Sequence, residues 1–305
     1  MAKLSGLKRG RALSRVAVAA IAAALVTTST GAVAAENPDE ALGAAAGAQE
    51  RSGVQATGAA SQGAVIQGLF GASGGTLYWY EPNGSGGYEA REWLTDDWGV
   101  FKNAAQTDND ADGVTDGMWH WDNGGALYFG GENTDFYRVG GGWNIYNRVF
   151  SPGNLGGASG YDLLARDSSG NLYLYLGYGD GKVTSRAKVG WGWNIYTQIA
   201  GLGDVTGDGK ADVVARDKAG VLWLYQGTGN WKNPLSKRTK IGGGWNTYNS
   251  LVGVGDIDFD GVSDLVARDH QGALWRYSGT GSAAAPYKPR VKIGTGGWNA
   301  YRLMF

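Results

Sequence analysis

From residue 64 to the C-terminus the chain alternates apolar and polar positions in short runs, rich in aromatic and β-branched residues and punctuated by glycine. That is the pattern of strands with one buried face, joined by tight turns. One run recurs five times. GTLYWY, GALYFG, GNLYLY, GVLWLY and GALWRY align their leucines at Leu77, Leu127, Leu172, Leu222 and Leu274, separated by 50, 45, 50 and 52 residues. A second landmark follows each run: Trp98 in DDWGVF, then GWNIY at Trp143 and Trp193, GWNTY at Trp245 and GWNAY at Trp298. A period of about 50 residues suits a four-stranded propeller blade and is too long for one coil of a leucine-rich or β-helical repeat.

Within a unit, the first strand follows the GWN turn (YNSLVG, from Tyr248) and the second follows an acidic loop (DLVARD, from Asp264). The third is GALWRY and the fourth is of the RVKIG type. The ends are complementary. Residues 64–94 supply a second, third and fourth strand with no first, and residues 301–305 supply a first strand with nothing after it. The expected fold is therefore all-β: a five-bladed β-propeller of four-stranded blades over residues 64–305, closed by pairing of the C-terminal strand with the N-terminal blade. Closure would remove sheet edges that otherwise template aggregation.

The N-terminus reads differently. Five basic residues, an apolar run from Val16 to Val26 and the small residues Ala32-Val33-Ala34 make residues 1–34 a secretory signal peptide, too short in its apolar run for a membrane span. Residues 35–63 lack aromatics and periodicity and read as a flexible leader, which could also dock a partner protein. The expected location is extracellular. Loss of residues 1–34 would move the net charge from −1 to about −6, which argues against nucleic-acid or anionic-membrane partners. With no cysteine there is no disulfide or thiolate site, and His120 and His270 are the only histidines.

Three loops carry a spaced set of oxygens. They comprise Asp108, Asp110, Asp112 and Asp116; Asp204, Thr206, Asp208 and Asp212; and Asp256, Asp258, Asp260 and Asp264. Oxygens at alternate positions, a glycine at position six and a closing carboxylate at position nine suit a hard cation with six or more oxygen ligands, and calcium, in about three sites, is the expected occupant. A fourth loop, Asn154 to Asp162, keeps only its end positions and is expected to be empty. GDVTGDGKADVV and GDIDFDGVSDLV resemble the calcium hairpins of FG-GAP (VCBS-type, integrin α-like) propeller repeats. KIGGGWNTYNSLV and KIGTGGWNAYRLMF are similar to repeats of the tachylectin five-bladed lectins.

No GxSxG, HExxH, phosphate-loop or dinucleotide fingerprint appears in its required context. Asp167, Asp217 and Asp269 recur beside Arg166, Arg216 and Arg268, which suggests salt bridges from blade to blade and not a unique active site. The chain is therefore expected not to be an enzyme. The repeated GWN-x-Y set offers a binding alternative: Trp143, Asn144 and Tyr146; Trp193, Asn194 and Tyr196; Trp245, Asn246 and Tyr248; Trp298, Asn299 and Tyr301. An aromatic plane beside directed donors and acceptors suits a sugar. The same residues also fit a scaffold in which Trp plugs between blades and Asn caps the turn. The tachylectin resemblance implies glycans, N-acetylated amino sugars among them. The reading is a secreted, calcium-stabilised, multivalent lectin-like propeller, with a protein-docking module or a polysaccharide-active enzyme as alternatives.

Overall fold

A computed structural model describes residues 64–131 and 134–305; the signal-peptide and leader expectations lie outside these residues. Five antiparallel four-stranded sheets follow one another around a ring. Blade 3 shows the pattern, with strands Tyr146–Gly153, Asp162–Asp167, Leu172–Tyr175 and Ala187–Gly190 running from centre to rim. The first strands of all five blades line a narrow central cavity of about 50 Å³. It holds a few waters at most and is far smaller than an ordinary ligand pocket.

Closure occurs as the strand bookkeeping requires. Gly71 pairs with Met304 and Ala72 with Leu303, so the final strand becomes the first strand of blade 1. Phe305 adds a backbone bond of 2.9 Å from Phe70 N–H to its carbonyl and a ring stack on Phe70 with centroids 5.2 Å apart.

The G-W-N-x-Y repeat has a local cause. Gly142, Gly192, Gly244 and Gly297 take φ between 77° and 85° and lead directly into a single 3-10 turn over the W-N-x triplet. A left-handed residue there strongly favours glycine. The turn drives each tryptophan into the seam between consecutive blades, where it meets the tyrosine that ends the third strand. Centroid distances are 4.6 Å for Trp143–Tyr175 and Trp193–Tyr225, and 4.5 Å for Trp245–Tyr277. Burying about 150 Å² of ring at ~25 cal/mol per Å² contributes about 4 kcal/mol per seam.

The A-R-D recurrence works otherwise than the sequence suggested. The expected blade-to-blade salt bridges between these aspartates and arginines do not form among the described residues; each aspartate caps the turn between the second and third strands, Asp167 accepting from Asn171 N–H, Asp217 from Val221 N–H and Asp269 from Ala273 N–H. The arginines cross the seam to main-chain carbonyls. Arg166 donates to Trp193 O (3.0 Å) and Tyr196 O (2.7 Å), and Arg268 to Trp298 O and Tyr301 O (2.8 Å each). Arg216 donates to Trp245 O and Tyr248 O. In the two remaining seams Lys102 reaches Tyr146 O, and Arg302 reaches Trp98 O and Phe101 O. Every seam thus has a cation on carbonyls at the start of the next blade. Each group is claimed before the other can reach it: the carboxylate by N–H groups of its own turn, and the guanidinium by carbonyls of the next blade, which lie on the opposite face of the strand.

Candidate cation loops and blade rims

All four acidic loops lie on one face of the disc, between the first and second strands of their blades. Position four is left-handed in the three complete loops: Ala111 (φ 65°), Gly207 (φ 80°) and Phe259 (φ 60°). A non-glycine residue held there is strained, a condition that clusters at ligand sites. In the first loop Asp108 accepts N–H bonds from Ala111 (2.6 Å) and Gly113 (2.9 Å), and Asp116 accepts from Asn109 and Asp110. These bonds bring one oxygen each of Asp108, Asp110 and Asp116 within 4.8 Å of one another. Asp256, Asp258 and Asp260 form a second such group. Asp112 and Asp264 stand outside these groups, and Asp204, Asp208 and Asp212 do not gather to that distance among the described residues.

Burial sets the electrostatics. It pushes Asp108 up to about 6 and Asp212 and Asp264 up to about 7, with Asp116 and Asp256 raised as well; backbone N–H bonds oppose the shift in every case. Desolvated, mutually repelling carboxylates are the donor set a divalent cation would relieve. The first group fits such an ion well. In the third loop, Asp258 is also held by Arg276 (3.1 Å) and Ser278 (2.9 Å), and Asp260 by Lys288 (2.6 Å).

The closing aspartate has a separate role. Asp162, Asp212 and Asp264 accept the N–H of Gly177, Gly227 and Gly279 at 2.9–3.1 Å, at the end of the third strand, while the other oxygen accepts from loop position two. The incomplete fourth loop keeps this bolt without the inner carboxylates, so the ninth position is structural in these three loops, whereas Asp116 of the first loop accepts only from Asn109 and Asp110 and turns toward the cation group.

The loops also join blades. Gly203 N–H bonds Pro152 O, Ser263 N–H bonds Asp204 O (3.2 Å), Asp256 N–H bonds Val65 O and Ile66 N–H bonds Gly113 O (2.9 Å). Val65 and Ile66 thereby stand in for the loop that blade 1 lacks. Across the same seams, a methyl group at Gly207 would come within 2.5 Å of Gly281 O and one at Gly157 within 2.8 Å of Gly229 O. A loop that reads from sequence as internal to a blade is packed on the next one.

On the opposite face sit the GWN turns. Trp143, Trp193 and Trp245 are buried and Trp298 half-buried; Tyr146, Tyr196, Tyr248 and Tyr301 are buried, with hydroxyls shared with Tyr175, Tyr225, Tyr277 and Tyr80 at 2.5–2.6 Å. The aromatic plane expected at the surface is inside the seam, because the glycine-led turn rotates it inward. Asn144, Asn194, Asn246 and Asn299 are exposed. Asn299 bonds His270 O and Asn249, whereas the side-chain amides of Asn144, Asn194 and Asn246 make no hydrogen bond among the described residues. Beside them Ile145, Ile195 and Val100 are more than 40% exposed and Trp191 80% exposed.

Blade 2 departs from its neighbours. His120 occupies the place of Ala165, Ala215 and Ala267, and packs among Trp98, Phe101, Tyr128 and Phe136 at centroid distances of 4.5–6.1 Å. Neither ring nitrogen finds a hydrogen-bond partner of ordinary geometry. Burial pushes its pKa down to about 3, a weak backbone interaction at Met118 opposing the shift only slightly. Nothing in the local sequence WHW distinguishes such a residue from a solvated one.

Residues 161–215 and 204–267 match the FG-GAP-like repeat family. Residues 161–267 thus carry FG-GAP-like repeats within the five-bladed ring. No curated protein matches. Among solved structures, yeast RCC1 (Prp20) bound to Kap60 aligns at 11% identity and TM-score 0.37, over 72% of this chain and 57% of that one. AofleA from Arthrobotrys oligospora aligns at 9% identity and TM-score 0.44 (73% and 66% covered). Aleuria aurantia lectin, crystallised with alpha-methyl-L-fucoside, aligns at 13% and 0.43 (78% and 80% covered). Among the described residues no helix is long and apolar enough to cross a membrane.

Proposed function

We propose that this chain is a secreted, calcium-stabilised binding protein that holds glycans at repeated sites around its ring. The observation that carries the reading is the recurrence, at equivalent turns, of exposed asparagine amides that the protein itself does not use, each beside glycine-rich backbone. An amide offers two donors and an acceptor to vicinal hydroxyls. Trp143, Trp193, Trp245 and Trp298, with their tyrosine partners, then form the frame that fixes each turn, and Asn144, Asn194 and Asn246 form the contact, the amide of Asn299 being taken by His270 O and Asn249. Weak sites on a rigid ring gain avidity from number. Calcium, held chiefly by Asp108, Asp110 and Asp116, would neutralise the loop face and pin the seams. N-acetylated amino sugars are the first ligands to try.

The test is titration of the purified protein with N-acetylglucosamine oligomers by calorimetry, with and without chelator, alongside a triple Asn144→Ala, Asn194→Ala, Asn246→Ala variant. Binding lost in the variant while its melting curve is unchanged supports the reading. Unchanged binding refutes the site. A second reading, docking of a partner protein, is favoured by the apolar side chains Val100, Ile145, Ile195 and Trp191 at these same turns.

A further inference from the structure

The outermost strands of blades 3, 4 and 5 carry a second repeat. Each begins directly after the arginine of an Arg-x-Lys triplet: Arg186 and Lys188, Arg238 and Lys240, Arg290 and Lys292. Strand register sets each lysine directly opposite an aromatic residue of the third strand, Lys188 opposite Tyr173, Lys240 opposite Trp223 and Lys292 opposite Trp275. The arginine lies over the same ring. Arg238 is 4.2 Å from the Trp223 centroid and Arg290 is 4.1 Å from that of Trp275, with Lys292 4.8 Å from the same ring. Behind each guanidinium stands the tyrosine pair of its blade, one ring buried and one half-buried: Arg290 donates to Tyr248 (2.7 Å) and Arg238 to Tyr196, the buried member in each case. Lysine on an exposed edge strand is ordinary protection against edge pairing. Stacking on an indole while bonded to buried phenols is a different matter, since it fixes the fork of a side chain that otherwise samples many rotamers.

Neither Arg238 nor Arg290 forms an ion pair among the described residues. The nearby carboxylates Asp217 and Asp269 are spent on their turns and on the indole N–H groups of Trp223 and Trp275, at 2.9 and 2.8 Å. Each guanidinium keeps several of its five N–H donors beyond those given to phenols. Blade 2 lacks the feature, with Phe136 at the arginine position and His120 beneath it. A planar fork held in place beside an ammonium is suited to a carboxylate, which it can engage through two parallel bonds.

We propose that the rims of blades 4 and 5 form an anion site for an acidic polysaccharide, Arg238 and Lys240 on one blade and Arg290 and Lys292 on the next each engaging a uronate carboxylate. This deepens, and rests on, the glycan-binding reading.

The experiment compares polygalacturonate with its methyl ester, the same chain without charge, and with N-acetylglucosamine oligomers, by calorimetry on the purified protein. Binding of polygalacturonate and not of the ester, weakening as salt is raised, is expected. Arg238→Gln with Arg290→Gln should weaken it by about tenfold or more, the share of a charge-assisted hydrogen bond. Lys240→Gln with Lys292→Gln, on exposed side chains that touch no tyrosine, guards against a folding defect and should weaken it about threefold. Equal affinity for acid and ester, or unchanged affinity in both double variants, overturns the proposal. Binding of the amino-sugar oligomers without polygalacturonate overturns it while leaving the glycan reading standing, and binding of no polysaccharide removes both.

Discussion

His120 should make the ring acid-labile in a way one substitution can isolate. Its native pKa of about 3 lies below the ordinary value of 6.5 because the ring is desolvated among four aromatic side chains. The unfolded chain therefore binds a proton near pH 6.5 that the folded chain refuses until near pH 3. Stability from this residue is intact above the unfolded value and falls as pH drops toward the native one, at about 1.4 kcal/mol per pH unit. Between about pH 6.5 and about pH 4.5 the loss is about 2 kcal/mol, a large part of a typical folding free energy. Carboxylates titrate over the same range, so the wild-type slope alone decides nothing. The decisive quantity is the difference between wild type and His120→Leu, which removes both nitrogens and keeps most of the volume. Urea unfolding of both proteins across that range should show the variant losing less stability, with the gap closing by the full amount. Parallel pH profiles would refute the argument, whatever the absolute stability of the variant. They would mean that acid opens this seam locally and hydrates the ring without unfolding the protein.

Arg216→Met should lower unfolding stability by about 3 kcal/mol, since two seam carbonyls, Trp245 O and Tyr248 O, lose their donor; a change under about 0.5 kcal/mol would show that water replaces the guanidinium freely. Gly192→Ala should cost about 1–2 kcal/mol for backbone conformation alone, because φ is 81° and nothing lies within 4 Å of an added Cβ. Gly243→Ala, in equally open space without the left-handed φ, is its control and should cost less than half as much. Calcium at a hundredfold excess over its dissociation constant should raise stability by about 3 kcal/mol, and Asp108→Asn should remove most of that increment in a thermal-shift assay. A calcium response unaltered in Asp108→Asn would move the ion elsewhere.

The architecture was legible because it repeats: five aligned leucines fix the blade count, and an unpaired strand at each end fixes the closure. The spacing of Asp108, Asp110 and Asp116 likewise reflects a local loop that sequence alone can specify. What stayed hidden depends on partners far along the chain. Arg166 and Asp167 are neighbours in sequence and point to opposite faces, so their roles separate only when the next blade supplies Trp193 O. Lys102 and Arg302 perform the same seam function from different strands, leaving no shared motif to detect. The inward turn of Trp143 follows from the left-handed Gly142, a conformation the GGGW sequence permits without dictating. Arg238 becomes distinctive only when register sets it over Trp223 with Tyr196 behind.

The loops' second neighbour changes what a cation can do. If each ion served a single hairpin, its removal would loosen that hairpin and little else. In the structure, Gly113 O accepts Ile66 N–H from the segment that enters blade 1, and a methyl group at Gly179 of blade 3 would come within 3.1 Å of Asn109 O. An ion among Asp108, Asp110 and Asp116 would therefore brace three blades at once. Amide hydrogen exchange with and without chelator distinguishes the cases. A ring-level role predicts faster exchange at Ile66 and across residues 177–184 as well as in loop 108–116, because local opening follows the contacts that hold an element closed. Faster exchange confined to residues 108–116 would show that the seam holds without metal, and the stabilising role assigned to the cation would then shrink to the folding of one turn.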